Sequence, residues 1–170
     1  MMKKLYLLLL ILCLVTFKFG IVVGDSMQPS IEDGDIIVAW RGSSLVTYNS
    51  VVLLNKGDSS IIKRVIGCPN DIISIKSSKL FVNHTEISDY TSFDIPEISL
   101  NLDEYYVLGD NSAQSTDSRY FGAIKEKQLL GVVLFTINPL LLLTILVIVF
   151  FVALFTDSKI FKQKILGLNL

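Results

Sequence analysis

Two residues in this chain have the type and context to do covalent chemistry together. Ser26 lies in Gly24-Asp25-Ser26-Met27-Gln28-Pro29-Ser30 and Lys63 in Ile61-Ile62-Lys63-Arg64-Val65-Ile66. A serine hydroxyl is a weak nucleophile until a neighbouring base takes its proton. The one histidine, His84, sits in the turn-like Val82-Asn83-His84-Thr85-Glu86 with no sequence neighbour suited to orient it, so it reads as a surface residue and not as the base of a Ser-His-Asp triad. Asn83-His84-Thr85 also satisfies a glycosylation sequon, but it reads first as a hairpin turn. Lys63 is the other candidate base. Strand alternation puts it on one face with Ile61 and Val65, with Arg64 on the opposite face. On the core face its amine would lose water and its pKa would fall towards a value where the neutral base is available. Alternation alone favours the blander reading, a solvated lysine on an edge strand. Ser26 taken alone could equally be an ordinary turn serine. Cys13 and Cys68 fall in different parts of the chain, and no Cys/His cluster has zinc spacing.

These residues need elements to hold them. Of 170 residues, 51% are hydrophobic and 18% charged, with mean hydropathy +0.58, which is too apolar for a typical soluble domain. The excess is concentrated in residues 5–23 and 140–156, which bracket a polar middle. The first run is free of charge only from 5 to 17, a length that also suits a cleavable leader. No small-x-small site follows it, and Lys18 can extend its ammonium to the headgroups, so the run reads as a retained anchor. The second run has seventeen uncharged residues, about 25 Å of helix. Lys3 and Lys4 precede the first run; Lys159, Lys162 and Lys164 follow the second. The positive-inside bias then places both termini in the cytoplasm and the middle domain outside. The expected organisation is an anchor over 1–23, a β-rich domain over 24–139, a second transmembrane helix over 140–156 and a basic tail over 157–170. The partner this implies is the lipid bilayer. Between Asp25 and Asn138, nine Lys/Arg face fifteen Asp/Glu, an acidic balance that argues against nucleic acid.

The middle domain shows short β-rich runs at Ile36–Trp40, Ser50–Leu54, Ile61–Ile66, Ile72–Lys76, Lys79–Val82, Tyr105–Leu108 and Gly131–Ile137, separated by turn residues. That spacing predicts a mainly β fold, a compact antiparallel domain flanked by the two helices. The polar, patternless stretch from His84 to Asp103 reads as a loop.

Four segments, in order, carry a resemblance. GDSMQPSIEDGDIIV (24–38) resembles the Ser-x-Met-x-Pro segment of bacterial type I signal peptidases of the Ser/Lys kind. IIKRVIGCPND (61–71) resembles their Lys-Arg-Val segment, KLFVNHTEI (79–87) their hairpin, and GDNSAQSTDSRYFG (109–122) their Gly-Asp-Asn…Ser-x-Asp-Ser-Arg segment. The resemblance spans nearly all of 24–139 and implies a membrane-bound serine endopeptidase that removes signal peptides from exported preproteins after small residues at −1 and −3. It implies Ser26 as nucleophile, Lys63 as general base, Ser115 as the hydroxyl holding the lysine amine, and Asp117 with Arg119 as a supporting ion pair. The Ser26 backbone N–H is the implied oxyanion donor, with Gly24 a second candidate. No cofactor or metal is implied, and the location is the outer face of the bacterial cytoplasmic membrane. Departures are Ser112-Ala113-Gln114 in place of Arg-Asp-Asn, and Asn70 in place of a glycine, which an asparagine in a left-handed turn can replace. Two other readings share these motifs: a signal peptidase dedicated to one pathway, and a non-cleaving assembly factor for pilus or conjugation subunits.

Overall fold

The computed structural model describes residues 2–57 and 59–157, without the side chains of 2–5 and 154–157. In chain order the elements are α1 (Met2–Thr16), β1 (Phe17–Ile21), β2 (Ile36–Arg41), β3 (Val51–Lys56), β4 (Ser59–Gly67), β5 (Ile72–Lys76), β6 (Lys79–Val82), β7 (Thr85–Asp89), β8 (Ile95–Ser99), β9 (Glu104–Leu108), α2 (Ser118–Phe121), β10 (Ile124–Lys125), β11 (Leu129–Ile137) and α3 (Pro139–Asp157). They fall into two units, 1–136 and 137–170.

Two antiparallel sheets make up the first unit. One runs β1-β2-β11-β3-β4-β9-β10 and the other β7-β6-β5-β8. Ile66, Tyr106 and Leu108 of the larger sheet pack with Ile73, Ile75 and Leu80 of the smaller to form the core between them. A second cluster, of Val52, Leu54, Val65 and Val107, lies within the larger sheet. The third, of Val22, Met27, Ile31 and Ile37, fastens the segment that carries Ser26. Asn70 takes φ 71°, the left-handed turn expected where an asparagine stands in for glycine.

The structure differs from the sequence expectation in two places. The run 5–23 is not one helix: α1 ends at Thr16, and Phe17–Ile21 pairs with β2 in the register Phe17↔Trp40 to Ile21↔Ile36. Aromatic and β-branched residues alternate there with Lys18 and Gly20, which suits a strand once β2 offers a partner. Arg41 fixes the junction, donating from Nε to the Phe17 carbonyl at 3.1 Å and from Nη2 to the Leu14 carbonyl at 3.1 Å. The second difference is in the supposed loop from His84 to Asp103, which contains β7 and β8. Every residue of β7 is exposed, and a register shift between Ile73 and Ile75 interrupts the β8 pairing. Neither strand therefore writes a period of two into its sequence.

The second unit holds α3, whose first turn is capped by Asn138: its Oδ1 accepts from the Leu140 and Leu141 N–H groups at 3.0 and 3.2 Å. Among the described residues no helix is long and apolar enough to cross a membrane. The basic tail, from Ser158 onward, lies outside the described residues.

Candidate active site

β4 is an interior strand, with β3 on one side and β9 on the other from Arg64 onward. Lys63, the residue just before that pairing begins, is still not the solvated lysine that alternation favours: it pairs with Val52, its amine meets Ser26 Oγ, and it is only 3% exposed. Burial pushes its pKa below that of an ordinary lysine, against the opposing pull of the Asp117 and Asp110 carboxylates. Its Nζ stands 2.7 Å from Ser26 Oγ and donates to the Ile62 carbonyl at 2.8 Å.

Ser26 is carried on a loop that both ends hold. Fully buried Met27 sits in the core cluster with Val22 and Ile37, and the Ile31 N–H closes a turn on the Met27 carbonyl at 3.0 Å. Gly24 enters the loop at φ 96°, a conformation that favours glycine. From the other side, Asn111 donates its N–H to the Ser26 carbonyl and its Nδ2 to the Asp25 carbonyl, both at 3.1 Å. The Ser26 N–H donates to nothing among the described residues. The Gly24 N–H donates to Asp33 Oδ1 at 2.8 Å.

The fourth segment, 109–122, supplies a buried ion pair. Asp117 is wholly buried and caps α2 by accepting from the Arg119 N–H. The Arg119 Nε and Nη2 groups reach it at 2.8 and 3.0 Å, and the Gly109 N–H at 3.0 Å. Burial alone would raise its pKa; the Arg119 and Gly109 hydrogen bonds, and the charge of Arg119, outweigh this and hold it below the ordinary carboxylate value. The same Nη2 donates to the Ser112 and Ser115 carbonyls at 2.9 and 3.0 Å, tying the loop down. Ser115 is buried near the pair but its Oγ makes no hydrogen bond of full geometry, to Lys63 or to anything else described; its closeness to Asp117 still helps keep that carboxylate ionised. His84 is exposed, with Glu97 as its nearest acid at 3.6 Å, far from this chemistry.

Sequence reasoning missed three contributors. Gly109 is one: a Cβ there would lie 2.2 Å from Ser115 Oγ and 2.5 Å from the Ser26 carbonyl oxygen. Tyr90, in the stretch read as loop, donates from its hydroxyl to the Gly109 carbonyl at 2.9 Å. Asp110 receives Arg64 on both oxygens, at 2.7 and 2.5 Å, and also accepts from Ser30 Oγ, linking three of the four motif segments. Pairing of a lysine strand neighbour with the motif aspartate could have been guessed from charge; the Tyr90 contact had no sequence signal.

A groove of about 540 Å³ runs from Ser26 and Lys63 along residues 17–24 on one wall and Ser60–Ile62 on the other. Both walls are open strand edges. Among the described residues β1 pairs only with β2, and the first residues of β4 pair only with β3.

The sequence profile of the family described as "Signal peptidase, peptidase S26" matches residues 2–138. The chain belongs to that family. Its activity is accordingly that of a serine endopeptidase removing signal peptides. Among its relatives, Signal peptidase IB of Staphylococcus aureus (strain COL) is 31% identical over 145 residues, covering 69% of this chain and 76% of that one. Signal peptidase I V of Bacillus subtilis (strain 168) is 29% identical over 135 residues, covering 66% and 80%. A crystal structure of a signal peptidase I from Enterococcus faecalis V583 aligns with TM-score 0.47 at 24% identity, over 51% of this chain and 95% of that one.

Proposed function

We propose that Ser26 is the nucleophile and neutral Lys63 the general base of this signal peptidase. The observation that carries the reading is the 2.7 Å approach of Nζ to Oγ at a lysine whose burial lowers its pKa. Lys63 takes the Ser26 proton as Oγ attacks the scissile carbonyl carbon, and the Ser26 N–H stabilises the oxyanion. The lysine then gives that proton to the departing amine, leaving an acyl-serine, and the cycle repeats with water as the nucleophile. Asp117 and Arg119 position the loop behind the pair. Ser115, whose buried Oγ makes no hydrogen bond among the described residues, is the hydroxyl this reading assigns to hold the lysine amine.

The substrate lies in the groove as an extended segment, bonded to the open edges of β1 and β4. In an extended chain the −1 and −3 side chains share one face, the face for which the resemblance calls for small residues. The domain works at the outer surface of the bilayer, with 2–16 and 140–156 as anchors. Support comes from the flanking lysines and from the side chains of Ile21 and Val23, apolar yet 71% and 91% exposed beside the groove. Holding enzyme and precursor in one plane raises their effective concentration.

The test is cleavage of an exported precursor by the full chain in detergent, with product masses locating the cut. Wild type is expected to cut after the signal peptide, and Ser26→Ala and Lys63→Ala each to lose more than about a thousandfold in rate. Cleavage surviving either substitution would overturn the assignment.

A further inference from the structure

The groove has an end that catalysis does not use. Lys18, Gly20, Ile37, Ala39 and Arg41 share one face of the β1–β2 pair, because Lys18 is opposite Ala39 and Gly20 opposite Ile37. Lys18 and Arg41 are therefore diagonal neighbours, about 7–8 Å apart by Cα. Both line the groove, and no aspartate or glutamate does. The Lys18 side chain makes no hydrogen bond or ion pair among the described residues; Arg41 spends two N–H groups on the α1 and β1 carbonyls and pairs with no acid there. Between the two cations and the catalytic pair, Gly20 leaves the floor open: a Cβ there would meet only Ile37, at 3.5 Å.

The direction of the bound peptide follows from the same wall. The apolar segment of a precursor lies N-terminal to the scissile bond. Leu14 of α1 and Phe17 line the groove at the end away from Ser26. The N-terminal side of the precursor must run towards that end, parallel to β1. With −1 beside Gly24 and one residue per strand step of about 3.3 Å, residues −5 to −7 come abreast of Gly20 to Lys18.

We infer that Lys18 and Arg41 form a charge-selective subsite for precursor residues −5 to −7, favouring acidic side chains and disfavouring basic ones. The inference rests on the proposed function, and deepens it by naming a specificity determinant remote from the cut. A helix-capping role accounts for the bonds of Arg41 to Leu14 and Phe17. It does not account for Lys18, nor for two unpaired cations on a wall without acids. Exposed pairs of this kind discriminate modestly, so Glu is expected to exceed Lys about five- to tenfold in kcat/KM at low salt. The ratio should fall in high salt as the charges are screened.

The experiment uses the full chain in neutral detergent and one precursor peptide carrying Glu, Gln or Lys singly at −5, −6 or −7. Wild type should prefer Glu to Lys at one or more of these positions, and Lys18→Glu should invert the ratio at that position. Arg41→Gln should shrink it, and Arg41→Lys, which keeps the charge but not the fork, should restore it. A wild-type ratio of one with the Gln peptide cleaved would overturn this inference and leave the proposed function standing. If no peptide is cleaved, the Gln one included, the proposed function fails and this inference with it. A ratio of one combined with Lys18-dependent binding to anionic vesicles would assign the cations to lipid headgroups and likewise overturn it.

Discussion

Adding one methyl group at Gly109 should cost activity out of proportion to its cost in stability. A Cβ there would stand 2.2 and 2.5 Å from Ser115 Oγ and Cβ, and 2.5 Å from the carbonyl oxygen of Ser26. Ser115 can turn its hydroxyl away but not its Cβ, and the Ser26 oxygen is backbone, so both chain segments must shift. To reach even a tight 3.0 Å contact, the Ser26 peptide must move by about 0.5 Å, and to an ordinary one by about 1 Å. Displacements of that order at a reacting atom cost about a hundredfold in rate, whereas overpacking of a core costs about 1–3 kcal/mol. Gly109→Ala should therefore lose about a hundredfold in kcat/KM towards a precursor peptide while thermal unfolding shifts by only a few degrees. The assay is steady-state cleavage alongside thermal melting in the same detergent. A variant within threefold of wild-type activity would refute the claim that close backbone approach at Gly109 sets the position of Ser26.

Gly67→Ala is the matched contrast: its Cβ would strike Ile73 and Leu100 side-chain carbons at 2.7–2.9 Å, flexible groups in the core. It should lower the melting temperature by several degrees with kcat/KM unchanged per folded molecule. Lys63→Met should abolish cleavage and raise the melting temperature at neutral pH, since it removes a buried amine whose charged form burial disfavours. Asp117→Asn should destabilise the domain by about 3–5 kcal/mol in thermal or urea unfolding, because Arg119 is left buried without its counter-charge. The wild-type Asp117 carboxyl has a folded pKa below its unfolded value. Its contribution is therefore full above about pH 4 and lost as pH falls through the lower folded value, a loss that acid unfolding of the Asn variant should lack.

Several strands were readable because their apolar runs are bounded by turn residues. β5 and β6 were placed to the residue, and β4 differed only at its ends. β7 and β8 were not, since the one is exposed throughout and the other is broken in register. Hydropathy could not divide the first apolar run at Thr16, because Phe17, Phe19 and Ile21 are as apolar as the helix before them. What makes them a strand is the β2 partner some twenty residues on. The Ser26 and Lys63 pair was visible only through four motifs taken together, as alternation left the lysine in solvent. Its burial comes from distant chain: β3 pairs with it, β9 joins β4 one residue later, and the Ser26 loop meets its amine, none of which Ile61–Ile66 announces. The engagement of the Gly24 N–H by Asp33, nine residues away, was beyond motif comparison for the same reason.

The central claim is that a neutral Lys63 activates Ser26. Its most direct test is a pH titration of the lysine Nζ groups by nitrogen NMR in the folded chain, with Lys63→Ala assigning the signal, set beside the pH dependence of kcat/KM. The account predicts that Lys63 titrates below the ordinary lysine value of about 10.4 and that the acidic limb of activity has the same midpoint. A Lys63 that stays an ammonium up to that value, in an enzyme active at neutral pH, would contradict it.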